Sequence, residues 1–276
     1  MTRINDWLNH QSPPTHPDQS AYTRDLKLLV CHLLSKNSAW LYAHSDDLIN
    51  DHQIQQLNSW AEELKQGKPL AYITGIKEFW TLTLKVNEHT LIPRAETELL
   101  IETIQQLSDS PKKILDLGTG SGAIALSLAT LFPKAHITAS DQSIEALKVA
   151  QSNAKLNRIH NVQFIQSNWF DSFTDDSYDI IVSNPPYIDS MDEHLANLSY
   201  EPISALVADD HGLSDFKSIS QKAYKYLKPG GLLMFEHGWQ QSEAVSQILQ
   251  DVELVNISTQ KDLLGHNRIT WGYLKT

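Results

Sequence analysis

The sequence predicts an α/β protein whose seven candidate strands form a mostly parallel sheet, preceded by a helical bundle and a linking β-hairpin. Three changes of pattern predict it. Up to Gly75 apolar residues recur at helical spacing. From Phe79 the period drops to two. Beyond Glu96, short Val/Ile/Leu runs alternate with helical patterns, as right-handed βαβ units require. The expected divisions are 1–75 for the helical domain, 76–93 for the hairpin linker and 94–276 for the α/β domain.

In the first segment Leu26, Leu29, Val30, Leu33 and Leu34 share one helix face, and Ile54, Leu57, Ala61 and Leu64 another. Asp46 or Asp47 is the expected cap near the start of the second region, and Gly67 with Pro69 closes it. Trp40, Tyr42 and Trp60 are expected to pack, and Cys31 and His32 to lack a chemical role. Next, Trp80, Leu82, Leu84 and Val86 alternate with Thr81, Thr83 and Lys85. Asn87-Glu88-His89 supplies a turn and Thr90-Leu91-Ile92 a returning strand. A helix follows from Glu96 to Leu107. Strands are expected at Lys113–Leu117, His136–Ser140, Val162–Gln166, Tyr178–Ser183, Gly231–Glu236, Glu253–Ser258 and Arg268–Tyr273. The last two are close in sequence, so that edge of the sheet is expected to be antiparallel.

Bulk properties narrow the function. Hydrophobic content of 41% with 20% charged residues describes a globular chain, not a disordered one. The single cysteine, Cys31, rules out an internal disulfide and any cysteine zinc cluster, and no metal is expected. Met1 to His10 is polar and unlike a signal peptide, and no apolar run approaches the ~20 residues a bilayer needs. A cytoplasmic location is therefore expected. The formal charge is -11. Only -2 of it lies in the segment through Gly75, where six Lys or Arg face eight Asp or Glu. Neither part supplies the basic stripe that phosphate binding wants, which argues against duplex DNA and suits a basic protein partner.

The chemistry gathers at predicted strand ends. The strand Lys113–Leu117 runs into Gly118-Thr119-Gly120-Ser121-Gly122, then a helix. Glycines there permit a tight turn and close approach of backbone to a ligand. The loop fits two cofactor classes, because Gly118, Gly120 and Ala123 also satisfy a dinucleotide fingerprint. Asp141 ends the next strand, placed either to hold two ribose hydroxyls or to cap a helix. Asn168-Trp169 ends the third, where a doubly wound sheet places an adenine.

The fourth strand ends in Asn184-Pro185-Pro186-Tyr187. Neither proline can donate to a sheet ladder, and each holds the residue before it extended. An amide side chain, free carbonyls and an aromatic ring therefore meet at the ligand-binding edge of the sheet. They suit a flat group bearing an NH2. The Asn184 side-chain oxygen and the Pro185 carbonyl would accept its two hydrogens, and Tyr187 would stack on its plane. This chemistry alone does not choose between a base amine and a glutamine amide.

The order of strand ends resembles class I S-adenosylmethionine-dependent methyltransferases, whose sheet is Rossmann-like, and in particular their amino-methylating branch. Across most of its length the chain resembles the HemK/PrmC family of protein-glutamine methyltransferases. The matching stretches are Ile92-Pro93-Arg94-Ala95-Glu96-Thr97-Glu98, Asp116 to Gly122, Asn184 to Ile188, Glu201-Pro202 with Ala205-Leu206, Glu236 to Gln240 and Lys261 to Arg268. The resemblance implies methylation of the glutamine in the Gly-Gly-Gln loop of peptide chain release factors, with the helical domain docking that partner. It implies cofactor contacts at Gly118, Thr119, Gly120, Ser121, Gly122, Asp141, Trp169 and Asn184. Asn184, Pro185, Pro186 and Tyr187 would hold the glutamine, with Asn184, Pro185 and Tyr187 as the catalytic set. Arg94 and Glu98 either touch substrate or brace the hairpin; Glu201 and Glu236 suit structural roles at least as well as catalytic ones, and the mechanism demands no base of His237. Three positions depart from the family pattern: Ala95 replaces a proline, Asn168 an aspartate and Leu264 a small residue.

Rival readings each leave something idle. A ribosomal-protein glutamine methyltransferase is the nearest, and the Arg94-to-Glu98 motif leans away from it. An adenine-amino nucleic-acid methyltransferase lacks its basic recognition segment here, and a nicotinamide dehydrogenase does not use Asn184 to Tyr187. A silent release-factor-binding module would not need the tetrapeptide.

Overall fold

A computed structural model describes residues 1–11, 19–174 and 177–276 of the chain, so part of the 1–75 segment lies outside the described residues. Contacts divide the chain into two units, Met1–Ile76 and Lys77–Thr276. The first contains α1 (Ile4–His10), α2 (Gln19–Leu34), α3 (Ser38–Ala43), α4 (Asp51–Lys65) and α5 (Leu70–Thr74). Ile4, Leu26, Leu29, Val30 and Leu57 are buried together in its core. A two-residue pair, β1 (Thr2–Arg3) with β2 (Leu48–Ile49), is antiparallel and was not legible as periodicity.

Helix α4 shows where local signals act. Its cap is Asn50, whose side chain accepts from Gln53 N–H while the Gln53 side chain accepts from Asn50 N–H. The expected cap at Asp46 or Asp47 is thus corrected: the chain spends Leu48–Ile49 on a strand before the helix begins. The end behaves as expected. Gly67 is left-handed, and Gly67 and Lys68 N–H return to the carbonyls of Leu64 and Glu63, closing a Schellman motif. Tyr42, expected to pack, is 79% exposed.

The hairpin also departs from expectation. It pairs β3 (Ile76–Phe79) with β4 (Leu82–Lys85), reversing at Trp80, whose φ is +55°. Phe79, not Trp80, is buried with Leu82, Leu84 and Val86. Asn87 does start a turn, with Thr90 N–H on its carbonyl, but the chain from Thr90 to Ile92 forms no strand.

The second unit continues through α6 (Glu98–Leu107), β5 (Lys113–Leu117), α7 (Ala123–Leu131), β6 (His136–Asp141), α8 (Ile144–Leu156), β7 (Val162–Gln166) and β8 (Tyr178–Ser183). Then come the single turn α9 (Asp209–Gly212), α10 (Ser214–Ala223), β9 (Leu227–Glu236), α11 (Ser242–Asp251), β10 (Val255–Lys261) and β11 (Asn267–Tyr273). The seven-stranded sheet runs β10-β11-β9-β8-β5-β6-β7. Strands β5 to β9 are parallel, and β11 enters antiparallel between β9 and β10. Alternate residues feed two cores. Ile114, Ile180, Val182 and Met234 lie in one, and Leu115, Leu117, Ile181 and Phe235 in the other. Burial on both faces is why these strands read as continuous apolar runs. Strand order reverses at β5, between β6 and β8, and ligands bind at such a switch point.

Candidate active site

Strands β5 and β8 lie in register, Leu117 beside Ser183, so the glycine loop and the Asn184 tetrapeptide leave the sheet at adjacent points. Ser183 Oγ donates to the Leu117 carbonyl at 2.7 Å and pins that edge. Both segments open on a cavity of about 470 Å³, a volume suited to a small molecule.

The loop glycines have separable tasks. Gly118, Gly120 and Gly122 are all left-handed, at φ +72°, +55° and +85°. A Cβ on Gly118 would reach the Trp169 ring at 3.4 Å, whereas one on Gly120 would meet nothing within 4 Å. Gly122 does not line the cavity; its Cβ would press Leu126 at 3.1 Å and Ala150 at 3.2 Å, so it serves the packing of α7 on α8. Asp141 braces the loop. Its Oδ2 accepts Gly120 N–H at 2.9 Å and its Oδ1 accepts Ser143 N–H at 2.8 Å. The α8 cap is Ser143, whose hydroxyl accepts Ala146 N–H, which leaves Asp141 facing the cavity. Burial pushes the Asp141 pKa up, against the pull of those two N–H groups.

Trp169, left-handed at φ +47°, lines the cavity beside Gly118, and burial raises the pKa of Asp215 against the pull of the Trp169 side chain. Asn168 is exposed beside it and also lines the cavity. Asn184 and Pro186 line the cavity too. Pro185 is buried, and the Tyr187 ring packs on the core of Leu117 and Phe235; neither lines the wall. Burial drives the Tyr187 hydroxyl well above the ordinary tyrosine range, so it is no base. Its backbone is tied down, with Tyr187 N–H on the Leu206 carbonyl and the Tyr187 carbonyl accepting from Gln241 Nε2 at 3.0 Å.

The charged motif residues find partners. The Glu201 carboxylate accepts Ile92 N–H at 2.9 Å and pairs with the Arg94 guanidinium. It thereby clips Ile92–Arg94 to the segment whose Pro202, Ser204 and Ala205 form another wall. Glu98 accepts Trp80 N–H at 2.8 Å, which braces the hairpin turn. His237 is buried, its Nδ1 on the Gly238 carbonyl and its Nε2 on Thr270 Oγ1, both at 2.8 Å, and burial depresses its pKa. Thr97, Asp215 and Gln241 carried no individual signal in the sequence, because each acts through contacts across many residues.

Comparison with known proteins agrees with this layout. A family profile described as a methyltransferase domain matches residues 108–273, and one described as the PrmC N-terminal domain matches 18–75. Release factor glutamine methyltransferase of Escherichia coli K12 is 40% identical over 96% of this chain and 97% of its own. Its namesake from Aliivibrio fischeri is 42% identical over 90% and 89%. The chain belongs to the release factor glutamine methyltransferase family. Solved structures agree on the fold of this family member. A methyltransferase from Pyrococcus furiosus superposes with a TM-score of 0.56 at 19% identity, covering 79% of this chain and 99% of that one. The 16S rRNA N2 G1207 methyltransferase of Thermus thermophilus does so at 0.53 and 18%, covering 72% and 50%. The fold is that of class I S-adenosylmethionine-dependent methyltransferases, with seven strands, mostly parallel. Among the described residues no His, Cys, Asp and Glu cluster could hold a metal, and no helix is long and apolar enough to cross a membrane.

Proposed function

We infer that this protein transfers a methyl group from S-adenosylmethionine to the side-chain amide nitrogen of the glutamine in the Gly-Gly-Gln loop of peptide chain release factors. One observation carries the reading: Asn184 and the glycine loop meet in one cavity, on a chain of this family. The residues present fit the cofactor. Gly120 leaves an open cradle, Asp141 offers a carboxylate to a ribose diol, and Trp169 borders a site for a base. Gly118, Thr119 and Ser121 supply loop contacts in the same cavity. Bound there, the sulfonium would supply an electrophilic methyl.

The protein's task is positioning. An amide nitrogen is a poor nucleophile, because its lone pair is tied up in a conjugation worth a rotational barrier of ~18–20 kcal/mol. No side chain at the tetrapeptide is a base near neutral pH, whereas orientation alone can contribute roughly 7–11 kcal/mol. Asn184 Oδ1 and the Pro185 carbonyl would accept the two N–H bonds of the substrate amide and favour the growing positive charge on nitrogen. Pro186, on the cavity wall, would bound the planar group, and Tyr187, packed on the core behind it, would hold the tetrapeptide in place. The N-terminal unit, with its own core, would dock the partner.

The test is transfer of labelled methyl to purified release factor, a Gly-Gly-Ala loop variant, ribosomal protein and DNA. Label on the wild-type factor alone is expected. N184A should keep cofactor affinity and lose kcat by roughly a hundredfold or more. An unchanged kcat removes Asn184 from this role.

A further inference from the structure

Behind Asn184 lies a carboxylate that the chemistry above does not use. Ser183 pairs with Phe235 across β8 and β9, so Asn184 and Glu236 follow at neighbouring strand ends. Glu236 is 2% exposed and Thr97 4%. Asn184 Nδ2 donates to Thr97 Oγ1 at 3.4 Å, and both side chains lie near enough to the Glu236 carboxylate to hold its pKa down. Its Oε2 is buried without a direct partner.

The direction of these bonds matters. An ionised carboxylate only accepts, so it draws the single proton of the Thr97 hydroxyl toward itself and leaves the Thr97 lone pairs to the Asn184 amide, which donates to that oxygen. Both groups therefore call for the NH2 end of the Asn184 amide. Its two ends are nearly the same shape, and packing alone does not choose between them. We propose that Glu236, with Thr97, is a positioning residue that keeps the Asn184 oxygen turned toward the substrate amide. A turned-over Asn184 would present N–H groups to an NH2 and repel it. The inference deepens the proposed function and rests on it.

The surroundings allow this carboxylate to titrate in the working range. Glu96 and Thr97 face it from the turn before α6, Arg268 from β11, and Asn184 and Tyr187 from the end of β8. Burial, then Glu96, raise its pKa against the pull of Thr97, Arg268 and Asn184, to about 7. Protonated, Glu236 becomes a donor and favours the turned-over Asn184. Turnover is expected to fall as pH drops through that value.

The experiment measures kcat, KM for release factor, cofactor affinity and Tm for N184A, E236A, E236Q and the N184A/E236A double variant. E236A is expected to lower kcat about tenfold to a hundredfold while cofactor affinity holds within about twofold. On the N184A background E236A should add nothing, because Glu236 acts through Asn184. Additive losses, or an E236A enzyme with wild-type kcat, overturn the proposal. If E236A fails to fold, E236Q decides. Its amide does not titrate, so the acid limb near pH 7 should vanish, and an unchanged limb overturns the role. Full turnover by N184A would instead remove the underlying reading, whereas a slow N184A beside a fast E236A removes Glu236 alone.

Discussion

Asp116, one residue before the end of β5, and Asp141, the last residue of β6, lie at the same edge of the sheet, yet their surroundings give them different work. Asp141 faces the cavity with both oxygens engaged. Asp116 is fully buried; its Oδ2 accepts from Thr119 Oγ1 at 2.6 Å and Ala125 N–H at 3.1 Å, and its Oδ1 has no partner. Burial lifts its pKa to about 7, with the Asp141 charge adding a smaller push. Raised above the unfolded value, this group binds its proton more tightly in the fold. Folding stability is therefore lost as pH climbs from about 4 to about 7 and stays lower above that. A shift of this size corresponds to at most roughly 4 kcal/mol. The neutral D116N variant keeps an oxygen for Thr119 and Ala125 and does not titrate. Its stability relative to wild type should rise by a few kcal/mol between pH 5 and pH 8, read by denaturant unfolding at each pH. The same difference at both pH values would place the charge elsewhere.

At the scale of elements, the site depends on a strained turn. Asp210, His211 and Gly212 are consecutive left-handed residues at φ +58°, +55° and +79°. They bring backbone so close to the tetrapeptide that a Cβ on Gly212 would sit 2.1 Å from the Tyr187 carbonyl oxygen and 2.9 Å from Gln241 Nε2. Gln241 ties the same group from behind, donating to the carbonyls of Tyr187 and His211. G212A must therefore displace the tetrapeptide or unfold the turn, besides costing about 1–2 kcal/mol for a left-handed Ala. The expected result is a loss of kcat of about a hundredfold with cofactor affinity retained, measured by methyl transfer and direct cofactor binding. Wild-type kcat would show that Tyr187 need not stay where Gly212 leaves it. None of this was legible in the sequence, because the contact joins residues far apart. By contrast β5, β7 and β8 were legible to the residue: β5 and β8 as apolar runs buried on both faces, and the half-exposed edge strand β7 as a short run of Val162, Phe164 and Ile165 between polar residues. So were the glycine loop, Asp141 and Asn184, each placed by a strand end. The hairpin was misjudged because period two cannot reveal that Trp80 turns left-handed. Likewise the α4 cap was missed because two residues before it join a strand.

At the scale of the whole molecule, chemistry and partner choice fall to different units. Every residue lining the cavity lies between His89 and Asp215, inside Lys77–Thr276. That unit has two cores of its own. The hairpin belongs with it as well, since Asn153 of α8 spans the N–H and carbonyl of Lys85 in β4 and the carbonyl of Ser121 in the glycine loop. The helical unit leaves Tyr42 and Leu48 exposed, and a partner can cover such side chains. Removing Met1–Ile76 should therefore leave cofactor affinity within about twofold and raise KM for release factor by about tenfold or more. A short Gly-Gly-Gln peptide, which reaches only the tetrapeptide, should be methylated equally by the full chain and by Lys77–Thr276. Isothermal titration with the cofactor and steady-state kinetics on both substrates separate the outcomes. An unchanged KM for the intact factor would assign docking to the catalytic unit, and lost cofactor binding would mean that the cavity needs the helical unit to hold its shape.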